Sequence, residues 1–262
     1  MIRIRFLLLI LGLAGLPAPS EAVDVLVAAA ADLNFAMKEM SVPFEKQTGH
    51  RLKISFGSSG NFYSQIVNGA PYDMFFSADM SYPRRLQDSG KGEAGTLFVY
   101  GLGQIVLWVP NASAIDLVRT GMRALADPTI RKIAIANPVH APYGRAAVSA
   151  MSHAAVYHVV KDKLVSGESV LQAMQFVQSG AADIGIIPLS LALAPDMRRS
   201  GRYWLIPQEA YPKIEQGALI LSRAGQSGHL DAARAFSDWI QSKAGRDILA
   251  RFGFLLSGER DR

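Results

Sequence analysis

Val23–Asp32 reads VDVLVAAAAD, an apolar run that closes on four alanines and an acid. Its length and content describe a buried strand, and its small residues leave room at the strand end. From Leu33 to Thr48 the apolar residues Leu33, Ala36, Met37, Met40 and Phe44 fall near helical spacing, and Gly49-His50 ends the stretch. Arg51 to Phe56 alternates as a strand. Gly57-Ser58-Ser59-Gly60 forms a turn, Asn61 to Asn68 a helix, and Pro71 leads into the strand Met74–Ser77. Strand, small-residue turn and helix recur as one unit, which predicts a parallel α/β sheet.

A second block of the same kind begins near Tyr100. Strands are expected at Ile105–Val109, Lys132–Ala136 and Asp183–Ile187, with a late one at Ala218–Leu221. A loop holds Pro138 and Pro142 and leads into a helix that should run to about Val160. Further helices are expected over Glu168–Ser179 and Asp231–Ala250. No Pro/Gly-rich linker separates the blocks, so two lobes joined by crossing strands are expected rather than independent beads.

The chain has 262 residues, half of them hydrophobic, and no cysteine. Such apolar content excludes disorder. The missing cysteine excludes a disulfide framework, a thiolate metal site, a cysteine nucleophile and a lipid anchor on cysteine. Residues 1–22 place Arg3 and Arg5 before an apolar run, Phe6 to Leu16, then Pro17-Ala18-Pro19 and Ser20-Glu21-Ala22. This is the order of a cleaved secretory signal peptide, and the run is too short to span a bilayer. The formal charge of +5 becomes +4 once Arg3, Arg5 and Glu21 are removed. That mild excess suits anions. No basic cluster interleaves with aromatics, so a nucleic-acid partner is not expected. A secreted chain without a lipid anchor is expected in the periplasm.

Four places share a helix start after a turn of small or capping residues: Ala31-Asp32, Ser58-Ser59-Gly60, Pro142-Tyr143-Gly144 and Glu168-Ser169-Val170. Helix starts expose unpaired N–H groups and about half a positive charge, and several converging make an anion site without lysine or arginine. Taken singly, each is better explained by capping alone. Other chemistry lacks support. Gly57–Gly60 is not a G-x-S-x-G elbow, and no histidine motif serves a serine nucleophile. His153 and His158 are five apart and share no helix face. Gly101-Leu102-Gly103 lacks the third glycine of a dinucleotide fingerprint. Trp108, Trp204 and Trp239 read as core, and the histidines mostly as surface.

Several segments together resemble one family. They are Ala28–Asp32, Phe56–Gly60 with Asn68–Asp79 (NGAPYDMFFSAD), Ile135–Pro138 with Ala141–Gly144 (APYG), Gly167–Ala173 (GESVLQA), and Ser237–Ile240 with Ile248–Phe254. Across the mature chain they are similar to ModA, the periplasmic molybdate-binding proteins of ABC importers. The resemblance implies a class II periplasmic-binding-protein fold: two α/β lobes, a hinge of two crossing segments and an inter-lobe ligand cleft. It places lobe 1 at residues 23–102 plus 217–262 and lobe 2 at 103–216. It implies that a tetrahedral oxyanion is held by neutral donors: the hydroxyl and amide of Ser59, the amides of Tyr143 and Val170, and the strand end at Asp32, with Ser58 shaping the turn. A tyrosine that some members carry after a later strand is replaced here by Pro188, which follows Ile187.

Asp32 departs from the Ser or Asn common at that strand end. A carboxylate about 5 Å from a dianion costs roughly 7 kcal/mol at an effective dielectric of about 20. A micromolar affinity is itself only about 8 kcal/mol. Three resolutions are open. Asp32 caps the next helix, accepting from N–H groups near Asn34 or Phe35; or it accepts a proton carried by a ligand of phosphate or phosphonate type; or the ligand is something else, such as an anionic metal chelate.

The expected function is therefore capture of molybdate, and also tungstate, for an inner-membrane ABC permease. The protein is expected to be a monomer and not an enzyme, with no cofactor and no directly bound metal ion. A receptor for a protonated oxyanion is the alternative, and an envelope serine hydrolase at Ser58 or Ser59 a remote one.

Overall fold

A computed structural model describes residues 22–256. The expected signal peptide lies outside the described residues except for Ala22. Among these residues ten strands form two five-stranded sheets. They are β1 (Asp24–Ala30), β2 (Arg51–Gly57), β3 (Met74–Ser77), β4 (Phe98–Gly103), β5 (Ile105–Pro110), β6 (Ile133–Ala136), β7 (Leu164–Gly167), β8 (Ile184–Pro188), β9 (Gly201–Leu205) and β10 (Ile214–Ile220). The first sheet has the order β2-β1-β3-β10-β4 and the second β7-β6-β8-β5-β9. The chain changes sheet twice, through Gln104 between β4 and β5 and through residues 206–213 between β9 and β10.

The sheets are mixed, not purely parallel as the repeating unit predicted. β1 runs parallel to β2 and β3, and β6 parallel to β7 and β8. β10 is antiparallel to β3 and β4, and β5 to β8 and β9. The reason lies in the crossings. Most parallel neighbours are joined by helices, whereas β5 and β10 enter each sheet directly from the other lobe, free of the crossover that enforces parallel pairing.

The helix Asn34–Thr48 buries Ala36, Met37, Met40 and Phe44. Phe44 meets Phe236 edge-on at 5.0 Å between centroids and Trp239 at 6.5 Å. Each buried ring contributes on the order of 2 kcal/mol through lost water contact. Trp108 of β5 is fully buried in the second lobe, and Trp204 packs at its core's edge. Ala30, Ala31 and Ala78 of the first lobe join that second core, so the small residues at these strand ends let the lobes approach closely.

Two expected helices break. The one opening at Pro142 stops at His153, and Ala155 takes a left-handed φ of 56°. Val156 N–H then bonds the Met151 carbonyl at 3.0 Å, closing the helix end. No glycine marks the stop, and a short helix, Tyr157–Val160, follows. The closing helix divides into Leu230–Gln241 and Lys243–Arg251, because Ser242 caps the second segment by accepting from Gly245 N–H. Two histidines are also less exposed than expected. His50 is buried, and His229 Nδ1 lies 3.0 Å from the fully buried carboxylate of Asp73.

Candidate anion site between the lobes

The end of β1 and the turn after β2 meet two helix starts of the second lobe around one small cavity. Asp32, Ser58, Ser59, Tyr143 and Val170 all line it, with Ala78 beside them. Each element leaves a donor there for a local reason. Ser58 is the extended cap residue of the helix Ser59–Val67, but its side chain makes no cap bond. Its Oγ is buried without a partner. Ser59 Oγ accepts from the Ala78 N–H at 2.9 Å, which leaves its own hydrogen free for the cavity. The helix Pro142–His153 begins with proline, so the amide of Tyr143 is its first N–H. At Val170 the preceding Ser169 caps Gln172 N–H, while Gln172 Oε1 accepts from Glu168 N–H at 2.7 Å. Capping thus occupies Ser169 and leaves the Val170 amide at the helix tip.

No lysine or arginine of the described residues lines this cavity. Cations stand instead in an adjoining cleft of about 650 Å³ between the lobes, which shares Ala78 and Pro142 with it. There Arg145 of the second lobe pairs with Asp79 of the first, and Arg84 lies 3.7 Å from Glu215. The arrangement gives a basic approach to a seat that holds no lysine or arginine of the described residues.

Asp32 does not cap. A turn of 3-10 helix, Ala31–Leu33, precedes the α-helix, and no side chain caps the start at Asn34. The carboxylate instead turns toward the lobe interface. Its Oδ2 accepts from the Tyr143 hydroxyl at 2.9 Å and from Gln216 Nε2 at 2.8 Å. The second amide hydrogen of Gln216 reaches the Tyr143 oxygen at 2.6 Å, and its Oε1 accepts from the Tyr100 hydroxyl at 2.7 Å. Ser190, from the second lobe, donates to the Asp32 carbonyl at 2.8 Å. Oδ1 is buried without a hydrogen-bond partner. Burial pushes Asp32 up to about 6, against the pull of Gln216, Tyr143 and the amides of Asp32 and Leu33. Burial first, and then the Asp32 charge, raises the hydroxyls of Tyr143 and Tyr100 well above their usual range, so both keep their protons.

The sequence reading missed Gln216, Tyr100 and Ser190. Gln216 follows Glu215 in the strand IEQGALI, where β10 carries a register shift; it is fully buried, but the adjacent glutamate gives the pair the look of a solvated strand start. Gly103 was read only as half of a failed nucleotide motif. A Cβ there would collide with the Tyr143 hydroxyl and the Gln216 amide, so the glycine makes room for this network.

Neither serine hydroxyl is bonded to a histidine or carboxylate base among the described residues. No group of three or more His, Asp or Glu able to hold a metal ion occurs among them, and none of their helices is long and apolar enough to cross a membrane.

Two lobes gripping a cavity of neutral donors define a binding protein that closes on a small polar ligand. Residues 25–255 match the family model of bacterial extracellular solute-binding proteins, and the chain belongs to that family, among the ModA proteins. It is 36% identical over 248 residues to the molybdate-binding protein ModA of Azotobacter vinelandii, covering 95% of this chain and 96% of that one. The ModA of Rhodobacter capsulatus is 34% identical over 241 residues, covering 92% of each. The solved periplasmic molybdate-binding protein of A. vinelandii superposes with a TM-score of 0.80 at 34% identity, covering 88% of this chain and 99% of that one.

Proposed function

We propose that this protein captures molybdate, and with it tungstate, in the periplasm and delivers the anion as a monomer to an inner-membrane ABC permease. One observation carries the reading: uncharged donors from both lobes converge on one buried cavity. The proposed ligand contacts are the hydroxyl and amide of Ser59, the hydroxyl of Ser58, and the amides of Asp32, Tyr143 and Val170. Such groups stabilise a dianion in low dielectric without a counter-charge that would also retain it on release. The cavity is small, about 10 Å³. That is room for about one water, less than a tetrahedral oxyanion needs. Binding therefore has the lobes part and close again around the anion, presenting a new face to the transporter. With neutral donors throughout, cavity size separates molybdate from the smaller sulfate. The similarity to ModA proteins over nearly the whole chain supports the same ligand.

Calorimetry on the mature protein tests this directly. Submicromolar binding of molybdate and tungstate, with weak or no binding of sulfate and phosphate, is the expected result. Heat with phosphate or a phosphonate and none with molybdate overturns it and favours a receptor for a protonated oxyanion.

A further inference from the structure

We propose that Asp32 serves the closed site as a neutral carboxylic acid, taking one proton from solvent as the lobes close and donating it from Oδ1 to an oxygen of the bound dianion. This rests on the reading of the cavity as a dianion site and adds to it a proton and a basis for selectivity.

The two carboxyl oxygens stand in unlike surroundings. Oδ2 receives two hydrogen bonds, from Tyr143 and Gln216, and so acts as the carbonyl-like acceptor. Oδ1 is buried and makes no hydrogen bond of normal geometry, the Asp32 and Leu33 amides acting on the carboxyl group only weakly, and it belongs to a residue lining the cavity. A buried acceptor facing a dianion is doubly unfavourable, lacking a donor and carrying like charge. A hydroxyl in the same place supplies the donor that an anion oxygen accepts.

The surroundings offer no competing charge. The Pro142–His153 helix presents Tyr143, β4 presents Tyr100, and β10 the neutral Gln216. Ser190 approaches from the helix Leu189–Ala192, Ser58 and Ser59 from the turn after β2, and Val170 from its helix tip. Both tyrosines remain protonated. The charged pairs Asp79–Arg145 and Arg84–Glu215 lie in the adjoining cleft, and no lysine, arginine or histidine of the described residues pairs with Asp32. Burial already moves Asp32 toward its neutral form before an anion adds its repulsion.

The proton balance is simple. Anion, anion-free protein with ionised Asp32 and one solvent proton give the closed complex, and release returns the proton. The O–H···O bond is strongest to the more basic oxygen, so it favours molybdate over sulfate, the conjugate base of a far stronger acid. Size is then not the whole of the discrimination.

Titration calorimetry of the mature protein at pH 8 in Tris and in HEPES, whose ionisation heats differ, reads the proton directly. The probes are molybdate, tungstate and sulfate. The expected result is uptake of close to one proton per molybdate, with affinity falling about tenfold per pH unit between about pH 7 and 9 by linkage. In Asp32→Asn the amide oxygen accepts from Tyr143 and Gln216 while the NH₂ takes the Oδ1 place. That variant should bind molybdate with no proton uptake and a flat profile over the same range, and with a smaller preference for molybdate over sulfate. Molybdate binding by the wild type with no buffer dependence and no pH slope overturns this inference alone, whether or not the variant folds. Failure of all three anions to bind at any pH overturns the function proposed above and this inference with it.

Discussion

The hydroxyl of Tyr143 donates to Oδ2 of Asp32 at 2.9 Å, joining the two lobes through a bond that is fully buried. The same hydroxyl accepts from Gln216 on β10, a strand reached from the second lobe, so the contact ties the lobes to a crossing segment. A bond that exists only when the lobes meet stabilises the closed form and not the open one, which is what shifts such an equilibrium.

Tyr143→Phe removes this bond while leaving the amide that the anion uses. A hydrogen bond to an uncharged carboxyl contributes about 0.5–1.5 kcal/mol, so molybdate affinity should fall a few-fold, up to about tenfold. Calorimetry measures the loss, and unchanged affinity would refute the cross-lobe role.

Asp32 makes the anion-free protein pH-sensitive. Its pKa is raised from 3.8 to about 6, so between these values the folded state holds more protons than the unfolded one. Stability from this group is therefore full below about pH 4 and lost as pH rises through about 6, a cost of about 3 kcal/mol at neutrality. Asp32→Asn should be the more stable protein at pH 7.5, with the gap closing at pH 4. Urea unfolding at the two pH values, without anion, provides the comparison; a wild type that is the more stable at pH 7.5 contradicts it.

Ser58 Oγ is buried and unpartnered. Ser58→Ala removes a desolvated polar group, so the anion-free protein should gain about 1 kcal/mol while molybdate affinity drops. Ser59→Ala differs, because it orphans the Ala78 N–H as well, and should lower both stability and affinity. Melting curves with and without molybdate separate the two patterns.

Gly60 sits where the lobes touch. Its N–H donates to the His140 carbonyl at 3.0 Å, and a Cβ would lie 2.8 Å from that oxygen and 3.0 Å from the Tyr82 hydroxyl. Gly60→Ala should hold the lobes apart while each core stays intact. Small-angle scattering with saturating molybdate would show the open dimension persisting, and compaction equal to wild type would count against a steric gate.

Arg145 bridges to Asp79 across the cleft with both side chains partly solvated. Such pairs contribute about 1 kcal/mol or less, so Arg145→Gln should weaken molybdate binding only a few-fold, less so in high salt. A loss of hundredfold would mean that Arg145 touches the anion.

Much of the frame was written in local pattern. The strands at β1, β2, β3, β5, β6 and β8 are apolar or alternating runs bounded by turn residues, and period and composition suffice to find them. The helix starts at Ser59, Pro142 and Val170 carried capping or proline signals. β4 (FVYGLG) and β9 (GRYWL) were not distinguished, since their glycines and partly exposed residues weaken the alternation. The helix break at Ala155, which is left-handed, left no trace, because alanine ordinarily continues a helix.

The sequence by itself determined two α/β lobes, four amide- or hydroxyl-bearing turns and an acid at the end of the first strand, all properties of short segments. Tertiary structure alone decided what that acid does. Its partners Tyr143 and Gln216 lie 111 and 184 residues away. Whether a carboxylate caps a helix, repels a ligand or carries a proton depends on which distant dipoles reach it and how much water is excluded, and neither is encoded in its neighbours along the chain.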